Sequence, residues 1–258
     1  MTWRFLNSGE CAGRLNMETD EGLALSLLRG GGFPSIRVYG WNPWTLSLGW
    51  NQSPEDVLVD RAEADGIEVV RRPTGGRAVL HADELTYSVV MKAEGKSVRE
   101  IHRMISEGLL CGVRRLGVDA ALEERGGDFP AGSGFRSAAC FVAAARSEIV
   151  VAGRKLVGSA QRRYGAQGRE DVVLQHGSLL LGDDHIRIVD YLRMPGDMRD
   201  ALRRELRRRS TNLSAELGRR VSIEEAAAAV KEGFEEAWGV RLWSIAIVPE
   251  REHETTAI

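Results

Sequence analysis

Arg71-Arg72-Pro73-Thr74-Gly75-Gly76-Arg77-Ala78-Val79-Leu80-His81 is the stretch from which the fold is best read. Glu68–Arg72 reads as a short strand, Pro73–Gly76 as a loop, and Arg77–Leu80 as the next strand. Two adjacent glycines let a backbone approach a ligand closely and present its amide N–H groups. The neighbouring arginines favour an anionic group such as phosphate, phosphopantetheine or carboxylate. Strand alternation points Arg71 and Arg72 to opposite faces, and Arg77, following the glycine pair, is expected to face the ligand. The spacing is neither GxGxxG nor GxxxxGK(S/T), so nucleotide-loop readings fail. From these residues alone, a surface hairpin with solvated arginines remains equally open.

Outward from this stretch, strands and helices intersperse without a strict βαβ rhythm. Met17–Leu28 reads as an amphipathic helix stopped by Gly30-Gly31-Gly32, and Ile36–Gly49 as two short strands around Asn42-Pro43. Pro54–Asp65 is predicted helical, ending at Gly66, and Thr86–Met91 alternates like a strand. Val98–Leu116 carries Ile101, Ile105, Leu109, Val113 and Leu116 at helical spacing. Val118–Leu122 resembles a strand, and the glycine-rich Glu123–Ser137, with Pro130, a loop. Glu148–Val151, Ala152-Gly153 and Lys155–Gln161 read as a hairpin, Gly165–Glu170 as a break, and Val172–Leu181 as a strand pair or one bent strand. Ile188–Arg209 is mostly helical, and Ser222 with Glu225 forms a capping box opening a helix to about Trp238. The sum is α+β: a single domain over residues 1–258, with a central mixed, mostly antiparallel sheet flanked by helices and a flexible tail over 248–258.

Composition bounds the function. The chain has 258 residues, 43% apolar and 28% charged, which excludes wholesale disorder and fibrous architecture. Lys plus Arg is 35 against 37 Asp plus Glu, a net charge of −2, which argues against nucleic acid as the main partner. The longest apolar run, Ala138–Ala145, is far short of the ~20 residues of a membrane span, so no membrane partner is expected. The segment Met1-Thr-Trp-Arg-Phe5 lacks signal-peptide character. Cys11, Cys111 and Cys140 are an odd, widely spaced set without CxxC, which excludes a disulfide scaffold or zinc ribbon and fits a reducing cytoplasm. No metal is expected.

Further segments carry candidate chemistry. Lys155 lies just past a tight turn, on a strand dense with small residues (Gly158, Ser159, Ala160), and reads either as a lysine beside a cavity or as a hairpin-tip lysine in water. Cys140, in Ser137-Ala-Ala-Cys-Phe141, reads as a small buried hydrophobe or as a thiol beside an active-site loop. Cys11 and Cys111 read as structural. His176, in Gln175-His176-Gly177-Ser178-Leu179, is a pocket-lining or a structural histidine. Arg199, Arg203, Arg204, Arg207, Arg208 and Arg209, interleaved with Asp200 and Glu205, read as a salt-laced helix face or as a docking patch for an acidic carrier protein.

Taken in order, Arg71–His81, Glu84-Leu-Thr-Tyr-Ser88, Cys140-Phe141, Gly153-Arg-Lys-Leu-Val-Gly-Ser-Ala-Gln161 and Gln175–Leu179 resemble the lipoate/octanoate attachment superfamily, over about residues 30–240. This superfamily holds lipoate–protein ligases, octanoyltransferases and, more distantly, biotin–protein ligases. The offset of Cys140 and Lys155 resembles the cysteine-dependent octanoyltransferases, whose cysteine stands fifteen residues before the lysine. The resemblance implies an α+β fold of the biotin- and lipoate-ligase catalytic type, no cofactor, and transfer of octanoyl from an acyl carrier protein to the lysine of a lipoyl-domain protein such as a glycine-cleavage H protein. It casts Cys140 as the thioester nucleophile and Lys155 as the group that lowers the thiol's pKa and assists proton transfer. Thr74, Gly75, Gly76, Arg77, Ala78, Val79, Leu80 and His81, Gly158, Ser159 and Ala160, and Gly177, Ser178 and Leu179 would line the acyl channel. Arg71, Arg72 and His176 complete the expected substrate site, and a monomer is the expected state. The rival readings are an ATP-dependent lipoate–protein ligase, a cysteine-dependent lipoyl or octanoyl amidotransferase, and a non-catalytic module that binds lipoylated domains.

Overall fold

The computed structural model describes residues 2–123, 148–165 and 171–246. The expected loop Glu123–Ser137 beyond its first residue, Cys140, most of the break Gly165–Glu170 and the tail over 248–258 lie outside the described residues. In chain order the strands are β1 (Trp3–Cys11), β2 (Ser35–Trp41), β3 (Thr45–Leu48), β4 (Glu68–Arg71), β5 (Val79–His81), β6 (Glu84–Lys92), β7 (Ala121–Leu122), β8 (Ile149–Val151), β9 (Arg154–Tyr164), β10 (Val172–Leu180) and β11 (Leu242–Ala246). The α-helices are α1 (Gly13–Leu28), α2 (Val59–Ala64), α3 (Val98–Arg115), α4 (Gly196–Arg209), α5 (Leu213–Leu217) and α6 (Ile223–Trp238).

Eight strands form one mixed sheet in the order β11-β1-β2-β6-β10-β9-β8-β7. β11, β1 and β2 run parallel, and every other pairing in this sheet is antiparallel. A separate three-stranded sheet, β4-β3-β5, stands beside it. The expected α+β domain with a mixed, mostly antiparallel sheet is therefore present, and the expectation of one sheet is corrected to two. The two strands read in Ile36–Gly49 exist, but β2 joins the large sheet and β3 the small one. A linear pattern cannot separate these outcomes, because both strands are buried on both faces and carry no alternation.

The large sheet buries one face against α3 and α6. Ile36, Val38, Leu85, Tyr87, Val89, Val173 and Leu179 meet Ile101, Ile105, Leu109 and Val113 of α3 and Val230 and Phe234 of α6. The helical spacing read in Val98–Leu116 is this buried stripe. A full capping box starts α3, with the Glu100 amide donating to Ser97 Oγ at 3.2 Å and the Ser97 amide donating to Glu100 Oε2 at 2.7 Å. At α6 the Glu225 amide donates to Ser222 Oγ, as the predicted box requires, while the Glu225 carboxylate chiefly takes the Arg219 guanidinium. Glycines let α3 and α6 cross closely: a Cβ on Gly233 would stand 2.2 Å from the Gly112 amide nitrogen.

Several boundaries differ from the sequence reading. Val172–Leu180 is one strand rather than a pair, and only Ala121–Leu122 pairs within Val118–Leu122. Ile188–Arg209 is broken: Asp184–Asp190 is a 3-10 turn and α4 starts at Gly196, because Pro195 cannot continue a helix from the preceding turn. Pro54–Asp65 splits into a 3-10 turn, Pro54–Asp56, and α2. β1 and the edge strand β11 have no counterpart in the sequence reading.

Candidate active site

The other face of the large sheet meets α1 and the small sheet, and here buried polar side chains stand among smaller apolar clusters. Between the two sheets lies a small cavity. Arg72, Val79, His81, Gly158, Ser159, Ala160, His176, Gly177 and Ser178 line it, together with Met17 and Thr86. Three segments far apart in the chain thus converge.

The remaining candidates of the double-glycine stretch hold other places. Ala78 and Leu80 are buried in the core of the small sheet, and Leu179 in the core under α3 and α6. Arg71 donates to the carbonyls of Gly49, Trp50 and Gln52 at 2.8–2.9 Å. Arg72 donates to the carbonyls of Ser47, Gly75 and Arg77. Arg72, buried, therefore grips the loop's own carbonyls, whereas Arg71, still exposed, ties down the neighbouring turn at 49–52. Arg71 and Arg72 diverge as the alternation predicts. Arg77 is half exposed, 3.8 Å from Asp56, and is not part of the cavity lining. Gly76 has φ +99, and its carbonyl packs so closely on Gly49 that a Cβ there would stand 2.1 Å away. The loop conformation thus needs a third glycine, remote in sequence.

Two histidines in the cavity wall are held in matching ways. His176 Nδ1 lies 3.3 Å from Asp20 Oδ2 and its Nε2 lies 2.6 Å from Thr74 Oγ1. His81 Nδ1 lies 2.8 Å from Glu84 Oε1 and its Nε2 lies 2.8 Å from Ser47 Oγ. An ionised carboxylate only accepts, so each ring donates from Nδ1, and in its neutral form it accepts a hydroxyl at Nε2. The His81 ring also stacks on Trp41 at 4.0 Å. Thr74 is therefore a post that ties the loop to β10 rather than a lining residue. Burial pushes the His176 pKa down, against the opposing pull of Asp20.

Behind His176 lies a buried network that the sequence reading missed. Arg37, 1% exposed, donates to Asp20 Oδ1 at 2.9 Å and to Asn16 Oδ1 at 2.6 Å. Tyr39 and Ser88 donate their hydroxyls to Asp20. Burial alone would raise the Asp20 pKa; the hydrogen bond with His176 and the charge of Arg37 outweigh it, so the carboxyl sits below its ordinary range. Glu84 is likewise lowered against burial, chiefly by His81. A signal did exist: an arginine in the middle of the apolar strand Ser35-Ile-Arg-Val-Tyr39 demands a buried partner.

Lys155 is 3% exposed, with Nζ 2.8 Å from Glu148 Oε1. The reading of a hairpin-tip lysine in water is thereby corrected. The hairpin turns at Ala152 and Gly153, with φ +48 and +73. An irregularity follows: Ile149 pairs with Val157 but Val150 pairs with Lys155, leaving Leu156 as an extra residue. Leu156 and Val157, though adjacent, both pack in the core under α3 and α6, whereas Val150 does not join it. The bulge therefore brings Lys155 into phase with Gly158 and Ala160, which line the cavity, although Lys155 is not itself among the lining residues. Ser159 points the other way, with its hydroxyl 2.9 Å from His102 Nε2.

Among the described residues, no group of three or more His, Cys, Asp or Glu could hold a metal ion, and no helix is long and apolar enough to cross a membrane. Cys11 and Cys111 are part-buried free thiols, and burial raises the Cys111 pKa. On α4, Arg203 pairs with Asp190 and Asp200, and Arg208 and Arg209 pair with Glu205, as a salt-laced face requires.

The family described as the lipoyl protein ligase A/B catalytic domain matches residues 12–235. The chain is 44% identical to the octanoyltransferase LipM of Kyrpidia tusciae over 250 residues, 93% of this chain and 89% of that protein. It is 39% identical to the octanoyltransferase LipM of Bacillus subtilis, over 93% of this chain and 88% of that one. A solved structure of a bipartite lipoate protein ligase from Thermoplasma acidophilum, described with its E2 lipoyl domain, shares the fold with a TM-score of 0.73 at 24% identity, over 96% of this chain and 88% of that one.

Proposed function

The chain belongs to the lipoyl protein ligase A/B catalytic-domain family, and on that premise we propose that it moves an octanoyl group from acyl carrier protein, through Cys140, to the acceptor lysine of a lipoyl-domain protein. The observation that carries this reading is the cavity itself: a narrow space between two sheets, on the same face and strand as a buried lysine. Its mainly apolar lining suits a short acyl chain. At ~0.8 kcal/mol per buried CH₂, six methylenes supply roughly 5 kcal/mol, enough to discriminate chain length.

The chemistry follows from the groups present. The Cys140 thiolate attacks the octanoyl carbonyl, the carrier's sulfur leaves and takes a proton from the Lys155 ammonium, and the acyl group stays on the enzyme as a thioester of similar energy, without ATP. The Lys155 ammonium favours the thiolate over the thiol, whose ordinary pKa is about 8.5. The acceptor amine then attacks the enzyme thioester, gives up its proton with help from Lys155, and leaves as the amide while Cys140 is regenerated. Backbone amides near the Gly75-Gly76 pair would stabilise the tetrahedral oxyanion. The enzyme acts as a cytoplasmic monomer.

Incubation with octanoyl carrier protein, without ATP, tests this by intact mass. A gain of one octanoyl group that Cys140→Ala abolishes is expected. A Cys140→Ala protein that still transfers, or one that works only with ATP and free lipoate, overturns it in favour of the ligase reading.

A further inference from the structure

We propose that Glu148 is the positioning residue for Lys155, an inference that rests on the role given to Lys155 above. Glu148 immediately precedes β8 and Lys155 is the second residue of β9, so the two-residue turn sets them across one hairpin. Both are buried, at 4% and 3% exposure, and their charged ends lie 2.8 Å apart.

Two features make the pair more than an incidental contact. A buried ammonium is costly unless a partner offsets it, and the hairpin places one ionised oxygen where Nζ ends. Lysine also carries a flexible four-carbon stem. Its effect on a thiolate falls with distance, so the ammonium serves the reaction only if held in one place. The bulge at Leu156 turns Lys155 to the cavity's face, and Glu148, in phase with Val150, holds it there. The field of the lysine reaches across the sheet: after burial, its charge is the second cause that pushes the His102 pKa down. Glu148 forms and breaks no bond in the reaction. Its action is through Lys155.

Four variants decide the matter, each assayed for transfer from octanoyl carrier protein to a lipoyl domain: Lys155→Met, Glu148→Gln, Glu148→Asp and the double Glu148→Gln/Lys155→Met. Lys155→Met is expected to lower kcat by about a hundredfold or more. Glu148→Gln should lower kcat by about tenfold or more, with KM for the carrier within about twofold. Glu148→Asp, which keeps the charge, should recover most of that loss. The double variant should be no slower than Lys155→Met alone, because a residue acting through another has nothing left to act on. If Glu148→Gln does not fold, Glu148→Asp and the double variant, which removes both charges together, carry the comparison. A double variant slower than Lys155→Met by the full Glu148→Gln factor overturns the inference. So does a Glu148→Gln enzyme at the parent rate beside an inactive Lys155→Met. If Lys155→Met itself keeps the parent rate, the role given to Lys155 fails instead.

Discussion

The two faces of the eight-stranded sheet are both buried, yet they are filled by opposite means. Under α3 and α6 the sheet meets aliphatic and aromatic side chains, and helix contact is set by shape, down to Gly112 and Gly233. Facing α1 and the small sheet, it presents Arg37, Glu84 and His176 to Asp20 of α1 and His81 of β5, each 6% exposed or less. Hydrophobic burial is non-directional, so an apolar face tolerates small shifts. A buried polar network holds atoms at fixed distances or else leaves them unsatisfied. The first face stabilises the molecule, and the second gives the cavity its shape.

Asp20→Asn tests this contrast most severely. It leaves Arg37 buried beside a neutral amide and loosens His176, which holds Thr74. The expected loss is about 3–5 kcal/mol of stability, with the surviving folded fraction also transferring about tenfold more slowly. Urea unfolding and activity per folded molecule measure the two effects. Full activity in the folded fraction would break the contrast.

Leu109→Ala, on the apolar face, should cost about 2–4 kcal/mol by opening a void, but leave kcat/KM per folded molecule unchanged. A specific loss of activity there would show that the faces are not separable.

Acid sharpens the comparison at smaller scale. His176 has a lowered pKa in the fold, so between about 6.5, its unfolded value, and its lower folded value only the unfolded chain binds the proton. That contribution is fully present above pH 6.5 and is lost as pH falls through this window. His176→Asn should flatten this part of a plot of Tm against pH; an unaltered slope would remove His176 from the account. Asp20 and Glu84, with lowered pKa values, act in a separate window, losing their contribution as pH drops below the ordinary carboxylate range.

The smallest effect lies on neither face. Charge reversal at Arg203 and Arg207 of α4 should slow association with an acidic carrier protein several-fold at low salt, and less at high salt. Unchanged kinetics at low ionic strength would leave α4 only its internal ion pairs.

Legibility in the sequence follows the same division. The stripe from Ile101 to Val113 was readable because a helix repeats its buried face every three to four residues. The segments around Gly75, Gly158 and Gly177 were readable because glycine next to small residues is locally informative. The link among residues 20, 37 and 176 was not, since a hydrogen bond spanning 156 positions leaves no local period. Nor was the direction of Lys155, which one extra residue at Leu156 reverses. Gly49 carried no sign that it makes room for Gly76.

The seam between the two sheets has a mechanical consequence. No strand of one sheet pairs with a strand of the other, so side chains bridge the gap: Thr74 to His176, His81 to Glu84, and Arg162 to the Pro73 carbonyl. The width of the cavity is therefore set by a few tie-rods rather than by a ladder. A rocking of the small sheet by a fraction of an ångström alters the bore without breaking a backbone bond in either sheet, so, on the proposed acyl role of the cavity, trimming one of these tie-rods is expected to change which chain lengths are admitted before it changes whether the protein folds.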